Sequence, residues 1–596
     1  MKKRNEIEEK YKWDLSSYFY SDQEWDSVFK QVQEQSKYFL QFKNKLSNRE
    51  YLLEYYQFCD KFDEKMDKLG TYSFLKVSED AKNEISQKRE QIFSKFCAEL
   101  GQKTSFIIVE LSKIDENKLT LWASQPEFKN YNLEILDIIK NRPHVLSQAE
   151  ENLLAQIAEF EGGYSEIFEK LDNADLRFEN IKNSKGKSFA FNQALYGKYI
   201  QSTDRVLRKN AVKEINNAYG KFNHTISANY IYSVKTTCVN ARIRKFESAL
   251  SASLFSTNVN KTVYDALIMG VNQNLPVFQK YFKLKAKQQG NKKFAIYDTL
   301  SPTNQKFNKV YTYDQAFEIV QNALKPFGKN YINLLKQAKQ EKWIDVMPSQ
   351  NKDTGAFSTG AYGAKPVVLL NFTGTTQDVF TLAHELGHAM HTYFSNKTQL
   401  CAKSDYSIFV AEVASNVNEM LLGLYFLENS KTIEEKIYYI DNILSGFRGS
   451  VFRQTMFAEF EQKVHKKYES GEPLTAEILN DMFYKLNKKY FGKNVELLSQ
   501  VKYEWSRIPH FYTPFYVYKY ATGLISALIL ATNLLKENKL KTSDNLQIKY
   551  LNFLSSGCTK SPVELLQDAG VDLEKQETFN NAFKYIENLI KIWESL

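Results

Sequence analysis

Glycine and proline are scarce. The chain of 596 residues holds 23 glycines and 11 prolines, roughly half and a third of their usual shares. A β-sandwich or propeller needs many such turn residues, so these classes are excluded. Long helices with few corners are expected instead. Cysteine is sparse too. Cys59, Cys97, Cys238, Cys401 and Cys558 are odd in number, stand far apart and form no CxxC pair. They predict free thiols in a reducing compartment rather than a disulfide framework. No apolar run is long enough to span a bilayer. The most apolar stretch, 521–535, is interrupted by Thr522, Gly523, Thr532 and Asn533 and reads as a buried helix. The first residues, Met1-Lys2-Lys3-Arg4-Asn5-Glu6, lead into no apolar segment, so no signal peptide is expected. The expected location is cytoplasmic, with no membrane partner.

Charge of one sign is also lacking. Lysine and arginine number 79 against 70 acidic residues, a net +9. The signs alternate locally, as in Lys61-Phe62-Asp63-Glu64-Lys65. Nucleic-acid binding calls for a clustered basic stripe, so no nucleic-acid partner is expected. With 43% apolar and 25% charged residues, the composition is that of a folded globular chain.

From about 22 to 172 the apolar residues recur three and four apart, as at Leu52, Tyr55, Tyr56 and Cys59, which predicts helices. Residues 183–192 read as a turn with flanking alternation, a short hairpin. The main boundary is expected just beyond it, giving an N-terminal helical domain over 1–195 and a second domain over 196–596. Helical periodicity resumes at about 204–251 and 261–289. The densest Gly/Pro patch, with Pro348, Gly355, Gly360, Gly363 and Pro366, precedes the apolar run Val367-Val368-Leu369-Leu370-Asn371-Phe372. That run predicts a strand, and a sheet edge there could take up a peptide by strand addition. Thr375-Thr376-Gln377-Asp378 can cap a helix that follows.

That helix carries His384-Glu385-Leu386-Gly387-His388. Histidines four apart lie about 40° apart around a helix and about 6 Å along it, so both can reach one metal ion. The glutamate between them can take a proton from a water that zinc has activated. With only seven histidines in the chain, this pattern arises by chance roughly once in two hundred such sequences. A catalytic zinc takes three protein ligands. His391 is about 10.5 Å along the helix from His384, too far to join them. The longer HExxHxxGxxH pattern fails, because His391 and Phe394 stand where Gly and His are required. The third ligand must come from another helix. Glu412, set in Ile408-Phe409-Val410-Ala411-Glu412-Val413-Ala414-Ser415, is costly to bury unpaired, and a cation offers the remedy. Asp405 is the rival. Glu419, two turns beyond Glu412, could orient a ligating histidine.

The stretches His384-Glu385-Leu386-Gly387-His388-Ala389-Met390-His391 and Phe409-Val410-Ala411-Glu412-Val413-Ala414-Ser415 resemble the oligoendopeptidase F branch of the thimet oligopeptidase family of zinc metallopeptidases. So do Glu9-Lys10-Tyr11-Lys12-Trp13-Asp14-Leu15, Ala241-Arg242-Ile243-Arg244, Trp343-Ile344-Asp345-Val346, Gly355-Ala356-Phe357-Ser358-Thr359-Gly360 and Pro509-His510-Phe511-Tyr512. The resemblance spans essentially the whole chain. It implies a mostly α, zincin-like fold with a small β-sheet beside the HExxH helix and a deep channel for short unfolded peptides. It implies one Zn2+ on His384, His388 and Glu412, with Glu385 as the base in a cytoplasmic hydrolase that cuts internal peptide bonds. It further implies that a histidine and one or two tyrosines of residues 507–520 face the substrate, and His510, Tyr512 and Tyr518 are the expected ones. If Pro514 opens a helix, Tyr516 and Tyr520 share a face, and Tyr518 lies about 200° from Tyr516. Tyr516 and Tyr520 are then expected in the core. A zinc dipeptidase or carboxypeptidase would need a terminus-binding arginine, and none is obvious. An inactive peptide-binding protein would have no need of Glu385.

Overall fold

The structure is a computed structural model that describes residues 1–303, 309–540 and 545–596. Helices dominate, as the scarcity of turn residues predicts. The chain divides into two compact units, both discontinuous in sequence. One comprises Met1–Gln148, Lys309–Leu422 and Leu530–Gly570; the other comprises Ala149–Asn308, Gly423–Ile529 and Val571–Leu596. The boundary expected after residue 195 falls inside the second of these.

The first unit is built around a long helix, Arg49–Glu79. Its core gathers Trp25, Phe29, Leu52, Phe62, Leu69 and Leu75, with Val367 and Leu369 from a small sheet. The N-terminal segment is locked onto this sheet. Trp13 is buried and its indole N–H donates to Glu79 at 2.6 Å. Arg4 bridges Glu79 at 3.0 Å and Asp345 at 2.7 Å. Asp345 is also paired with the buried Lys352 at 2.7 Å, whose ammonium donates to the carbonyls of Asp345, Met347 and Leu370. A buried cation with one counterion and three carbonyl acceptors is well satisfied.

The hairpin expected near 183–192 is present, as strands β1 (Ile181–Lys182) and β2 (Ser188–Phe189). The sheet of the first unit has three strands, β3 (Ile344–Asp345), β4 (Phe357–Thr359) and β5 (Val367–Leu369). β5 lies in the middle, parallel to β3 and antiparallel to β4. It is buried throughout, as its unbroken apolar run requires. β4 forms one edge. After β5 the chain turns at Gly374 (φ 96°) and enters helix α1, Thr376–Thr398. Thr375 caps it: its hydroxyl accepts from the Asp378 N–H, and the Asp378 carboxylate accepts from the Thr375 N–H, at 3.1 and 2.9 Å. This reciprocal cap satisfies two otherwise orphaned donors and fixes where α1 begins.

The second unit is held by aromatic packing, with Phe278 against Phe452 at 4.5 Å between ring centres and Phe282 against Phe491 at 5.5 Å. Residues 521–535 fall within helix α3, Tyr518–Leu540, while α2 is Ile408–Glu428. Among the described residues no helix is long and apolar enough to cross a membrane. All five cysteines are free.

Candidate metal centre

Helices α1 and α2 approach one another at a glycine. A Cβ on Gly387 would lie 2.6 Å from the Ser415 Cα and 2.8 Å from the Ala414 carbonyl oxygen. Any side chain at 387 would push the helices apart. Buried Asn418 of α2 closes the contact, its amide donating to the Ala383 carbonyl at 3.0 Å and its oxygen accepting from Tyr331 at 3.3 Å. The close approach sets the distance between the histidines of α1 and the carboxylates of α2.

His384, His388 and Glu412 converge. Each offers one ligand atom, and these atoms lie within 4.8 Å of one another. The two Nε2 atoms are 3.2 Å apart, and His384 Nε2 is 3.8 Å from Glu412 Oε2. Two nitrogens on one tetrahedral zinc at about 2.0–2.1 Å stand about 3.3 Å apart. Two imidazoles and a carboxylate are also a donor set that zinc accepts. The residues fit the ion that the sequence implied. Asp405 is exposed and caps the Tyr406 N–H at 2.8 Å; it is not part of the cluster. His391 is 1% exposed, stacked on Tyr406 at 3.6 Å and packed near Phe553, with burial pushing it down to about 3. It is a core residue, as the helix geometry required.

The site's electrostatics follow from burial and from Glu419. The His384 Nδ1 lies 2.5 Å from Glu419 Oε1. Burial alone pulls His384 down, but the bond to Glu419 and the charges of Glu419, Glu385 and Glu412 outweigh it and raise His384 to about 9. Burial and the neighbouring His384 push His388 down to about 3. Metal binding needs both imidazoles neutral, so it competes with protonation of His384. Glu385 is buried, and burial lifts its carboxyl to about 7, with His384 opposing the rise and Glu412 and Glu419 adding to it. A carboxylate near 7 suits a general base at neutral pH.

Glu419 thus orients His384 and raises the basicity of its other nitrogen. Glu419→Gln keeps the shape but removes the charge. Zinc affinity, measured by competition with a chromogenic chelator, should fall about 10–100-fold without a change in fold. An unchanged affinity would reduce Glu419 to a surface partner of the ring.

The tyrosine segment is arranged differently from its expected pattern. Pro514 does not open a helix, since α3 begins at Tyr518. Phe515 sits at φ +57°, a left-handed conformation that is rare for a bulky residue and breaks helical continuity. The conformation is held by a buried bond from the Phe515 N–H to Glu461 at 2.7 Å and by His465, whose ring lies 4.6 Å from that of Phe515. Burial keeps the Glu461 carboxyl high, at about 8. In consequence Tyr518 is 1% exposed and packs on Tyr264 at 5.1 Å. Tyr512 packs on Phe168 and Tyr230 at 5.0 and 6.1 Å. Tyr512 is partly exposed, and Tyr516, Tyr520 and His510 form one partly exposed group. The Tyr520 hydroxyl is 3.3 Å from His510 Nε2, and the Tyr516 and Tyr520 rings are 5.4 Å apart. Sequence reasoning put Tyr516 and Tyr520 on one face but expected it in the core and apart from His510, because nothing in the residue pattern announces a left-handed phenylalanine. It also missed the roles of Gly387 and Asn418, which depend on which helix faces α1.

The family model of peptidase family M3 matches residues 198–585, and that of oligopeptidase F matches residues 110–178. Oligopeptidase PepF of Bacillus subtilis is 36% identical over 595 residues, covering 100% of this chain and 88% of that protein. A plasmid-encoded oligoendopeptidase F of Lactococcus lactis subsp. cremoris is 34% identical, covering 100% of this chain and 98% of its own. Among solved structures, a Chlamydophila abortus protein described as a peptidase superposes with a TM-score of 0.91 at 32% identity, covering 100% of this chain and 99% of that one. Oligoendopeptidase-F from Enterococcus faecium gives 0.73 at 30% identity, covering 96% and 99%. Full-length similarity of this degree, together with the histidine and carboxylate cluster on α1 and α2, identifies the chain as a peptidase of family M3, in its oligoendopeptidase F branch.

Proposed function

We propose that the protein is a zinc-dependent endopeptidase that hydrolyses internal bonds of short, unfolded oligopeptides and contributes to peptide degradation in the cytoplasm. The observation that carries the reading is the convergence of His384, His388 and Glu412 beside the buried Glu385. A zinc ion bound there would act as a Lewis acid and lower the pKa of water at the site. Glu385 takes the proton from the attacking water and returns it to the leaving amine, a task suited to a carboxyl near 7. Glu419 holds the His384 ring in place through Nδ1, leaving Nε2 directed at the cluster. The edge strand β4 offers backbone groups with which an extended peptide can pair. Free cysteines accord with a reducing compartment.

His510 and Tyr512 keep their expected place as substrate-facing donors in this reading, the partly exposed Tyr516 and Tyr520 join them, and the buried Tyr518 serves as a packing residue. A neutral phenol donates well at pH 7, and an oxyanion donor strengthens the transition state more than bound substrate. Tyr516→Phe and Tyr520→Phe should therefore lower kcat by roughly 10²–10³-fold for a strong donor, with little change in KM. Tyr518→Phe should leave both within about twofold and alter stability only slightly. Steady-state kinetics on the three variants separate the cases. A catalytic loss confined to Tyr518→Phe would restore the opposite assignment.

The reaction class is tested by incubating the holoprotein with a mixed peptide library and reading the cut positions by mass spectrometry. Internal cuts that disappear with a chelator and return with zinc are expected. Cuts confined to peptide ends would favour an exopeptidase. Complete inactivity with zinc present would overturn the enzymatic reading.

A further inference from the structure

A second buried cluster, within the second unit, has charges that do not balance. Arg448 opens and Arg453 closes a short π-helix, Arg448–Arg453. In an α-helix residues five apart point about 140° away from each other. The i→i+5 bonding of a π turn closes that gap, and such turns are rare and concentrated at functional sites. Here both arginines line one cavity of about 320 Å³, together with Arg507 from the 3₁₀ stretch Ser499–Arg507. Arg507 is set in place by Tyr196, whose ring centre lies 5.4 Å from the guanidinium carbon.

Glu504 is the carboxylate on this wall. It is 2.8 Å from Arg453 and 3.1 Å from Arg507. Burial pushes its carboxyl up, but the two guanidiniums outweigh burial and hold it below the usual range. Arg448 is different. It is 7% exposed, its Nε has no hydrogen-bond partner, and no carboxylate of the described residues pairs with it. Asp441, the other acidic group in its surroundings, is already engaged by Lys285 at 3.2 Å, Tyr281 at 2.7 Å and Thr303 at 2.7 Å. A buried guanidinium with no counterion is costly. Three guanidinium groups facing one carboxylate leave the cavity two positive charges in excess.

We propose that this cavity binds a small, doubly charged oxyanion, of the phosphate or dicarboxylate class, with Arg448 as its principal ligand. The planar guanidinium fork matches both kinds of oxyanion. The volume lies at the lower end of the range for small-molecule sites. It leaves room for a small organic group beside the charge. The proposal is independent of the metal centre and of the peptidase reading.

The test titrates the holoprotein with inorganic phosphate and, separately, with succinate. Binding is followed by calorimetry and thermal unfolding, with chloride at matched ionic strength as control. Saturable binding of one ion per chain, with a rise in Tm beyond that of chloride, is expected for at least one probe. The tighter probe identifies the ligand's class. Arg448→Met and Arg453→Gln should each weaken binding by about tenfold or more, the loss of a charge-assisted bond. Arg453 is the more exposed of the two, so its variant carries the test if Arg448→Met fails to fold. Binding that persists unchanged in the folded variants would overturn the proposal, as would a Tm response equal to that of chloride.

Discussion

Glu385→Gln is expected to abolish turnover while leaving the metal in place. The amide keeps the size of the carboxylate and much of its hydrogen bonding, but it cannot accept a proton at neutral pH. Loss of a positioned general base costs roughly 10²–10⁴-fold in rate. The structure adds a second reason for a large effect. Glu385 is only 7% exposed, so bulk water has poor access to replace it as the base. It is also absent from the group that converges to hold a metal, His384, His388 and Glu412. Zinc content should therefore stay at about one per chain, and thermal stability should not fall. An uncharged amide in a buried site is no worse than a carboxyl that burial already holds near 7. The measurement is kcat/KM on an internally quenched peptide, alongside zinc determined by atomic absorption. Turnover near that of the unaltered protein would remove Glu385 from the mechanism. Loss of zinc in the variant would place it among the ligands instead.

The metal helix was legible in the sequence because its features are local. The cap at Thr375, the strand before it and the two histidines four apart all follow from residues within a few positions of each other. Glu412 was legible for a different reason, as a lone charge in an apolar helix that burial would penalise. What brings α1 and α2 together was not legible. Gly387 reads as an indifferent helical glycine until its missing Cβ is seen to face the backbone of Ser415. The tyrosine segment shows the opposite failure. The resemblance pointed to a histidine and one or two tyrosines in this segment without fixing which tyrosines. The register depended on one backbone angle at Phe515, held by a glutamate more than fifty positions earlier. Local propensity favoured a helix from Pro514, and a tertiary hydrogen bond to a buried carboxyl decided otherwise.

Removing the third ligand should have the largest effect on the metal. In Glu412→Ala two imidazoles remain, 3.2 Å apart, and a catalytic zinc needs three protein ligands. Affinity should fall by more than the roughly 10–100-fold expected for disturbing an outer partner such as Glu419. The zinc of the purified variant should therefore be lost on dialysis, and activity with it. The fold should survive. The Glu412 side chain is 23% exposed, so its removal opens no fully buried cavity, and helix α2 keeps its contacts through Asn418 and the glycine approach. Alanine also favours the helix more than glutamate does. Asp405→Ala is the matched control. That carboxylate is exposed and accepts the N–H of its neighbour Tyr406, so zinc content and kcat/KM should stay within about twofold. The three variants therefore grade by position: Glu412→Ala loses the metal, Glu419→Gln weakens it, and Asp405→Ala keeps it. Zinc retained by Glu412→Ala and lost by Asp405→Ala would mean that the two helices close on the metal in another register from the one seen here. A loss in all three alike would mean that the site responds to net negative charge rather than to ligand geometry.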